Sequence, residues 1–307
     1  MKIIFFGNTE FSNPTLEKCN ASFDIVSVVT NPSKKMGRGR HFSDTPVKVL
    51  ANKLKIDVIQ VENLENKDFI QKLEDLKPDL FIVVAYKILP KLLLSIPTMG
   101  AINLHSSLLP KYRGAAPIQR SILNHDKITG ISTFLIEPKV DTGKILMQKE
   151  CEILDNDNYG SLSLKLSNIG AQLIVESIEK YSSGNISPII QDEKLVTLAP
   201  KIKKEEYLID WNQDLTTIDA QIKAFSPHPG AYTMIDGKRL KIFEAKMTRG
   251  INYKEVGKII NLSKTYFEIT CLSGSLKVYE VQIEGKKRMS SEDFMIGMSN
   301  LKNVILG

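Results

Sequence analysis

The first two-thirds of this 307-residue chain alternates short apolar runs with stretches of helical periodicity. Residues 2–6, 24–29 and 58–61 have the length and composition of strands, and residues 79–85 form a nearly unbroken apolar run. Such a run is typical of a central parallel strand that is covered on both faces. The alternation predicts a Rossmann-like α/β domain with a doubly wound, mostly parallel sheet, in which ligands bind at the carboxyl ends of the strands.

Helical segments connect these predicted strands. Residues 45–54 and 67–76 are predicted helices, and Pro117 suits the first turn of another. Residues 161–181 place leucine and isoleucine at helical spacing and form the most amphipathic stretch of the chain. A short strand over residues 101–104 leads directly into a group of polar residues. We therefore expect that group to lie at the carboxyl edge of the sheet.

The pattern changes after residue 183. Residues 184–206 lack a clear period and contain prolines and charged residues, so we interpret them as a linker. From residue 207 onward, a short helix is followed by brief β-like runs separated by turns, which indicate a small β-barrel. The predicted division is a first domain over residues 1–183, the linker over 184–206, and a second domain over 207–307.

Composition narrows the class of protein. The three cysteines are far apart and odd in number, which favours free thiols in a reducing compartment over a disulfide framework or a metal site. The amino-terminal apolar run is too short for a signal peptide. No stretch approaches the ~20 apolar residues that a membrane helix needs. We expect a protein that uses no metal and does not enter a membrane.

Positive charge is in slight excess. The net charge of +6 favours a polyanionic partner, although many lysine-rich enzymes carry as much. Residues 201–307 contain 17 Lys and Arg against 13 Asp and Glu, so most of the excess lies in the smaller part. Residues 34–41 pack five potential cations and two glycines into eight positions. A loop of this composition is either a solvated connection or a segment that binds phosphates.

Asn103, His105 and Asp141 are the most informative polar residues. Asn103 and His105 are two positions apart, so at the end of an extended strand their side chains face the same side. A carboxamide can donate to a developing oxyanion, an imidazole can donate or relay a proton, and a carboxylate can hold the imidazole in a useful protonation state. These groups suit attack by an amine on a small acyl group, provided that the fold brings Asp141 to the other two.

An ordered set of motifs surrounds these residues and extends over nearly the whole chain. The motifs are Gly37-Arg38-Gly39 before Thr45-Pro46, His105-x-Ser107-Leu108-Leu109-Pro110, Lys111 to Arg120, Asp141-Thr142-Gly143, Ile209-Asp210-Trp211, Ser226 to Tyr232 and Gly285 to Met289. Together they resemble the folate-dependent formyltransferases and, within these, the members that act on methionyl-tRNA. The resemblance implies that the carboxyl-terminal barrel is OB-like and binds tRNA.

The resemblance also implies a reaction. The formyl group of 10-formyltetrahydrofolate, a co-substrate, would pass to the α-amino group of methionine on initiator tRNA, with no covalent enzyme intermediate. Asn103 and His105 would donate to the tetrahedral oxyanion, while Asp141 would tune His105 and help to move the proton. A monomer is expected, acting in the bacterial cytoplasm or in an organellar matrix.

Binding residues follow from the same resemblance. The folate would lie against Ser107, Leu108, Leu109 and Pro110, against the loop at Ile88 and Leu89, and against Val140. Arg38 matches the arginine that recognises the end of the acceptor stem. Its basic neighbours Lys34, Lys35 and Arg40 are expected to contact the tRNA as well.

Two positions depart from the family pattern. Lys87 stands where the family has a glycine before Leu89-Pro90, and Lys139 stands where it has a glycine two residues before Asp141. Glycine often supplies a backbone geometry that other residues resist. We therefore expect a rearranged loop beside the pterin and an altered affinity for the donor.

Other readings fit parts of the pattern. A related enzyme could formylate a sugar amine or glycinamide ribonucleotide, or hydrolyse formylfolate, whereas the basic loop and residues 227–232 favour tRNA. A protein of another class, an RNA-binding module on a degenerate formyltransferase scaffold, would not need the three polar groups intact. Taken singly, each of the three polar residues more often has a structural role, and Asp141-Thr142-Gly143 alone is an ordinary turn signal.

Overall fold

The computed structural model describes residues 1–36, 41–250, 252–298 and 301–307. They form two units. The first consists of Met1–Pro117, Ile128–Glu152 and Ser163–Pro200, and the second of Ile118–Lys127, Ile153–Leu162 and Lys201–Gly307. Two short segments from within residues 1–183 are therefore counted with the second unit, and residues 184–200 are counted with the first.

A seven-stranded sheet is the frame of the first unit. Five strands run parallel in the order β5-β2-β1-β6-β7, and β8 and β9 continue the sheet in antiparallel pairs. A separate hairpin joins β3 to β4. The strands are β1 (Lys2–Gly7), β2 (Asp24–Thr30), β3 (Lys34–Met36), β4 (His41–Ser43), β5 (Val58–Gln60), β6 (Leu80–Val84), β7 (Ala101–His105), β8 (Ile128–Leu135) and β9 (Ile145–Glu152).

Helices follow most of these strands. Thr45 and Asn66 cap two of them, each accepting a hydrogen bond from the backbone N–H three residues later. Among the described residues, no helix is long and apolar enough to cross a membrane. The helices are α1 (Asn13–Ser22), α2 (Pro46–Lys53), α3 (Lys67–Asp75), α4 (Lys91–Leu94), α5 (Pro117–Leu123) and α6 (Tyr159–Ser182).

The core of the first unit lies on the central strands. All five residues of β6 are buried, as predicted for a parallel strand covered on both faces. The rings of Phe6 of β1 and Phe81 of β6 pack at a tilt of 58° with centroids 4.9 Å apart, and Phe69 and Leu73 of α3 pack into the same cluster. Burial of side chains of this size contributes about 2–3 kcal/mol each, so this packing stabilises the central part of the sheet.

The second unit is built on an antiparallel sheet in the order β10-β11-β14-β13-β12, with β15 paired to β14. Its elements are α7 (Leu215–Phe225), β10 (Ala231–Ile235), β11 (Lys238–Arg249), β12 (Ile259–Leu262), β13 (Phe267–Cys271), β14 (Gly274–Ile283), β15 (Met289–Ser290) and α8 (Ser291–Ile296). The predicted fold class, a mostly parallel α/β sheet followed by an antiparallel β structure, is confirmed.

Residues 184–200 have no period because isolated hydrogen bonds to other segments of the first unit hold them in place. Ile189 exchanges two backbone hydrogen bonds of 2.8 Å with Ile145, and Arg113 forms a parallel bridge with Leu198. A segment bound in this way does not bury one regular face, so it shows neither the helical nor the strand pattern. Sequence periodicity could not reveal that it packs on the first unit.

The three cysteines contribute to packing. Cys19, Cys151 and Cys271 are all buried, and none of the three forms a disulfide. Burial raises the pKa of Cys19 and of Cys271 to about 12, because the thiolate would lose its hydration. Both thiols are therefore protonated and poorly nucleophilic near neutral pH.

Candidate active site

Two of the predicted catalytic residues lie on β7, at the edge where the parallel strands end. Asn103 pairs with Val83 of β6 and Phe134 of β8, and His105 pairs with Ser132 of β8. His105 is buried and Asn103 is half-buried. Within the described residues, the Asn103 carboxamide makes no hydrogen bond. Its donor and acceptor are therefore both available to a ligand.

Asp141 reaches His105 from the loop between β8 and β9. Its Oδ2 lies 3.7 Å from His105 Nδ1 and accepts a hydrogen bond of 2.8 Å from the backbone N–H of Gly114. The side chains of His105 and Asp141 are 8% and 12% exposed, so water screens their interaction only weakly. The fold thus brings together an imidazole and a carboxylate that are far apart in the sequence.

The other ring nitrogen of His105 defines its tautomer. His105 Nε2 lies 2.9 Å from the carbonyl oxygen of Tyr112. Because a carbonyl only accepts, Nε2 must carry the proton. Nδ1 therefore faces the Asp141 carboxylate, 3.7 Å away.

Two glycines let the backbone close around this site. A Cβ on Gly143 would lie 1.6 Å from the carbonyl oxygen of Leu135, and a Cβ on Gly114 would lie 2.6 Å from that of Ala199. Gly114 also has a φ of 128°, which side chains rarely allow. Both motif glycines are thus required by close approach of the chain, Gly143 to Leu135 and Gly114 to Ala199.

The loop predicted to bind folate follows β7 directly. Ser107 is buried and donates a hydrogen bond of 2.6 Å to the carbonyl of Lys111, and its own carbonyl accepts one from Ser132. The backbone N–H of Leu109 also bonds to Ser132, at 2.9 Å. Leu108 and Pro110 are half-buried. These bonds hold the loop to β8, at the same edge of the sheet as His105.

The other predicted folate residues differ in accessibility. Ile88 and Val140 are exposed and present apolar surface, whereas Leu89 is 3% exposed and packs in the core of the first unit. In this structure the side chain of Ile88, rather than that of Leu89, is accessible to a ligand. Enlarging Leu89 would therefore disturb the core.

The turn that lacks the family glycine does not require one at that position. Its positive φ, 49°, belongs to Ala85. Lys87 instead donates from Nζ to the carbonyl of Glu62 at 2.8 Å. Tyr86 packs edge-on against Phe6, and burial raises the pKa of its hydroxyl to about 12. Whether the loop beside the pterin is rearranged in consequence stays a prediction.

Arg38 and Arg40, which are predicted to contact tRNA, lie outside the described residues. The strands on either side pair as a hairpin, with Lys34 opposite Ser43 and Lys35 opposite Phe42. Lys34 is exposed.

Three side chains that the sequence did not single out support the loop that carries Asp141. Arg113, Gln191 and Glu193 are connected by hydrogen bonds, and Gln191 also bonds to the loop that carries Asp141. Arg113 lies inside one of the recognised motifs, which was a usable signal. Gln191 and Glu193 lie in the segment without periodicity, so no local pattern indicated them.

Comparison with known families identifies the class of protein to which this sheet and its polar edge belong. Residues 1–178 match the formyl transferase family, and residues 201–299 match the formyl transferase C-terminal domain. The chain belongs to the formyl transferase family.

Relatives of high coverage narrow the class further. The chain is 44% identical over 302 residues to the methionyl-tRNA formyltransferase of Dictyoglomus turgidum, covering 97% of this chain and 96% of the relative. It is 37% identical over 310 residues to the methionyl-tRNA formyltransferase of Syntrophomonas wolfei, covering 100% of this chain and 99% of the relative. The similarity therefore spans both units.

Solved structures share the fold at lower identity. HypX from Aquifex aeolicus in complex with tetrahydrofolic acid matches with a TM-score of 0.68 and 17% identity, over 99% of this chain and 49% of that chain. The N-formyltransferase from Helicobacter canadensis, in complex with folinic acid and dTDP-3-aminofucose, matches with a TM-score of 0.62 and 20% identity, over 91% and 98%. At these identities the likeness shows the fold alone.

Proposed function

We infer that this protein transfers the formyl group of 10-formyltetrahydrofolate to the α-amino group of methionyl-initiator-tRNA, giving N-formylmethionyl-tRNA for translation initiation. Full-length relatives at 37–44% identity are named for the reaction on methionyl-tRNA. The observation that carries the chemistry is the buried His105–Asp141 pair, whose histidine lies on the same strand as Asn103, and the Asn103 carboxamide makes no hydrogen bond within the part of the chain that the structure describes. A donor, a proton carrier and a carboxylate at one edge suit transfer of an acyl group to an amine.

In the proposed reaction, the amine attacks the formyl carbon and a tetrahedral oxyanion forms. Asn103 donates to this oxyanion, and His105 joins it once its Nε2 exchanges the Tyr112 carbonyl for the substrate oxygen. The new bond joins the methionyl nitrogen to the formyl carbon, and the bond from that carbon to the folate nitrogen breaks. One proton passes from the amine to the leaving folate nitrogen, and the His105–Asp141 pair stabilises it on the way.

The proposal also assigns the residues that would bind the two substrates. The loop from Ser107 to Pro110, with the exposed apolar side chains of Ile88 and Val140, would hold the folate. Arg38 and Arg40, with Lys34 and Lys35, would bind the acceptor end of the tRNA. The carboxyl-terminal domain over residues 207–307 would contact another part of the tRNA, after a first domain over 1–183 and a connection over 184–206. A monomer in the bacterial cytoplasm is part of the proposal.

A formylation assay tests this function. The protein is incubated with 10-formyltetrahydrofolate and Met-tRNA, with a UDP-amino sugar as the competing acceptor. We expect formyl transfer to Met-tRNA and none to the sugar. Formylation of the sugar alone, or hydrolysis of the donor at the same rate without any acceptor, would show that the proposed acceptor is wrong.

A further inference from the structure

We propose that Gln191 is a positioning residue for formyl transfer, which holds Asp141 at His105, and that Arg113 holds Gln191 in place. This inference rests on the catalytic role proposed above for Asp141. Gln191 lies within residues 184–206, the segment that its lack of periodicity predicted to be a linker.

The carboxamide of Gln191 is fully engaged in three directions. The residue is 5% exposed. Its Nε2 donates to the carbonyl oxygens of Asp141 at 2.9 Å and Gly143 at 2.7 Å, and its Oε1 accepts from Nε of Arg113 at 3.0 Å. A carboxamide combines two N–H donors with an acceptor, and both donors are used here on one loop. A side chain of the same size without those donors cannot hold this loop.

Arg113 orients Gln191 from the other side. Arg113 is buried, and its terminal nitrogens donate to both carboxylate oxygens of Glu193, at 2.8 and 3.3 Å. Its backbone N–H donates to the carbonyl of Thr197, and its own carbonyl accepts from Ala199. The side-chain hydrogen bonds from Arg113 lower the pKa of Glu193, so the buried guanidinium keeps a charged partner at neutral pH. The hydrogen bonds to Glu193 orient the guanidinium of Arg113, so that its Nε points at Oε1 of Gln191.

Gln191 thus connects the two loops that surround the catalytic pair. One loop provides the Tyr112 carbonyl to His105 and the Gly114 N–H to Asp141. The other carries Asp141, whose φ of 52° lies in the left-handed region, which is uncommon for non-glycine residues although aspartate adopts it more readily than most. The hydrogen bond from Gln191 to the Asp141 carbonyl holds the backbone in this conformation. Without it, the Asp141 carboxylate is expected to move relative to His105 Nδ1.

The variant Gln191→Glu separates positioning from general packing. Glutamate has the same size and still accepts from Arg113, so the segment stays attached to the first unit. It loses both donors and directs a carboxylate oxygen at two carbonyl oxygens, which repels the Asp141 loop. A matched control is Gln71→Glu, at an exposed position of α3 whose side chain bonds only to Asp75 in the described chain.

We expect kcat of Gln191→Glu to fall about 10- to 100-fold, the cost of a displacement on the order of 1 Å at a reacting group. The Michaelis constants for donor and Met-tRNA should change by less than about threefold, since neither substrate meets Gln191. Gln71→Glu should behave as the wild type. Equal activity of Gln191→Glu and Gln71→Glu would overturn the proposal.

A double variant tests whether Gln191 acts through Asp141. In the background of Asp141→Asn, the substitution Gln191→Glu should cause little further loss of kcat, because the group that it positions is already impaired. If the two losses multiply, Gln191 acts elsewhere and the proposal is wrong. If Asp141→Asn alone is fully active, the proposed catalytic role of Asp141 fails first. Should Gln191→Glu not fold, as judged by circular dichroism, Gln191→Asn undergoes the same test.

Discussion

Asn103 has the most direct chemical assignment of any single residue in the proposed site. Its carboxamide is half-buried, and within the described residues it makes no hydrogen bond that a substitution would break. A donor that is kept free on a rigid strand is suited to an oxyanion that exists only during the reaction. The proposed catalytic role of Asn103 can therefore be tested without removing a hydrogen bond of the fold.

Asn103→Ala is expected to lower kcat about 100- to 1000-fold, the loss typical of removing one oxyanion donor. The Michaelis constants and the melting temperature should change little. Steady-state kinetics with Met-tRNA and a thermal melt measure both effects. Asn168→Ala on the exposed part of α6 is the control, because it removes the same side chain away from the site. Near-normal turnover by Asn103→Ala would remove its role as an oxyanion donor.

At the scale of elements, one ion pair connects α5 to the segment that carries Glu206. In the second unit, Arg120 of α5 donates to both carboxylate oxygens of Glu206, at 2.6 and 3.0 Å. Glu206 also accepts from the backbone N–H of Lys203 at 2.7 Å. The hydrogen bond from Arg120 is the main cause that lowers the pKa of Glu206 below its ordinary value of 4.5. The charged carboxylate is thus favoured by folding.

Glu206→Gln should lower the free energy of unfolding by about 1–2 kcal/mol at pH 7. Because the pKa of Glu206 is lower in the folded than in the unfolded state, its contribution is complete above 4.5 and is lost as the pH falls through the folded value. The difference between wild type and variant should therefore shrink below pH 4.5. Urea unfolding at pH 7 and pH 4 measures it, and a difference that grows toward low pH would contradict this linkage.

The hairpin of β3 and β4 flanks the predicted tRNA-binding residues. Arg38→Ala is expected to reduce formylation of Met-tRNA strongly and to leave folate binding largely unchanged, since an arginine can pair with phosphates or stack on splayed bases. Lys34→Ala should have a weaker effect, mainly a smaller salt dependence of tRNA binding. Kinetics at two salt concentrations and folate titration distinguish the two. Normal turnover by Arg38→Ala at physiological salt would make the loop a simple connection.

At the scale of the whole molecule, both units bury their cysteines. Because burial raises the pKa of Cys19 and of Cys271 to about 12, the native protein should react with a thiol reagent at pH 8 far more slowly than the protein in urea. Counting the thiols modified before and after unfolding measures this. Rapid native modification of Cys19 or Cys271, identified by mass spectrometry, would show that the surrounding core opens readily.

Much of the α/β architecture was predictable because its signals are local. The apolar run of β6 and the capped helix α2 appear in the structure close to where they were predicted. The antiparallel strand β8 was missed, although its middle six residues are buried. Its buried Ser132 and Thr133 weaken the apolar signal, and both are satisfied by tertiary hydrogen bonds that the sequence does not display.

The sequence by itself determined the fold class, the family and the placement of Asn103 and His105 on one side of a strand end. These features depend on periodicity or on ordered motifs, which neighbouring residues carry. Only the tertiary structure decided that Asp141 meets His105 at 3.7 Å and that Gln191 and Arg113 support this meeting. Such contacts join segments that are distant along the chain, and hydrogen bonds between loops leave no repeating pattern in the residues that make them.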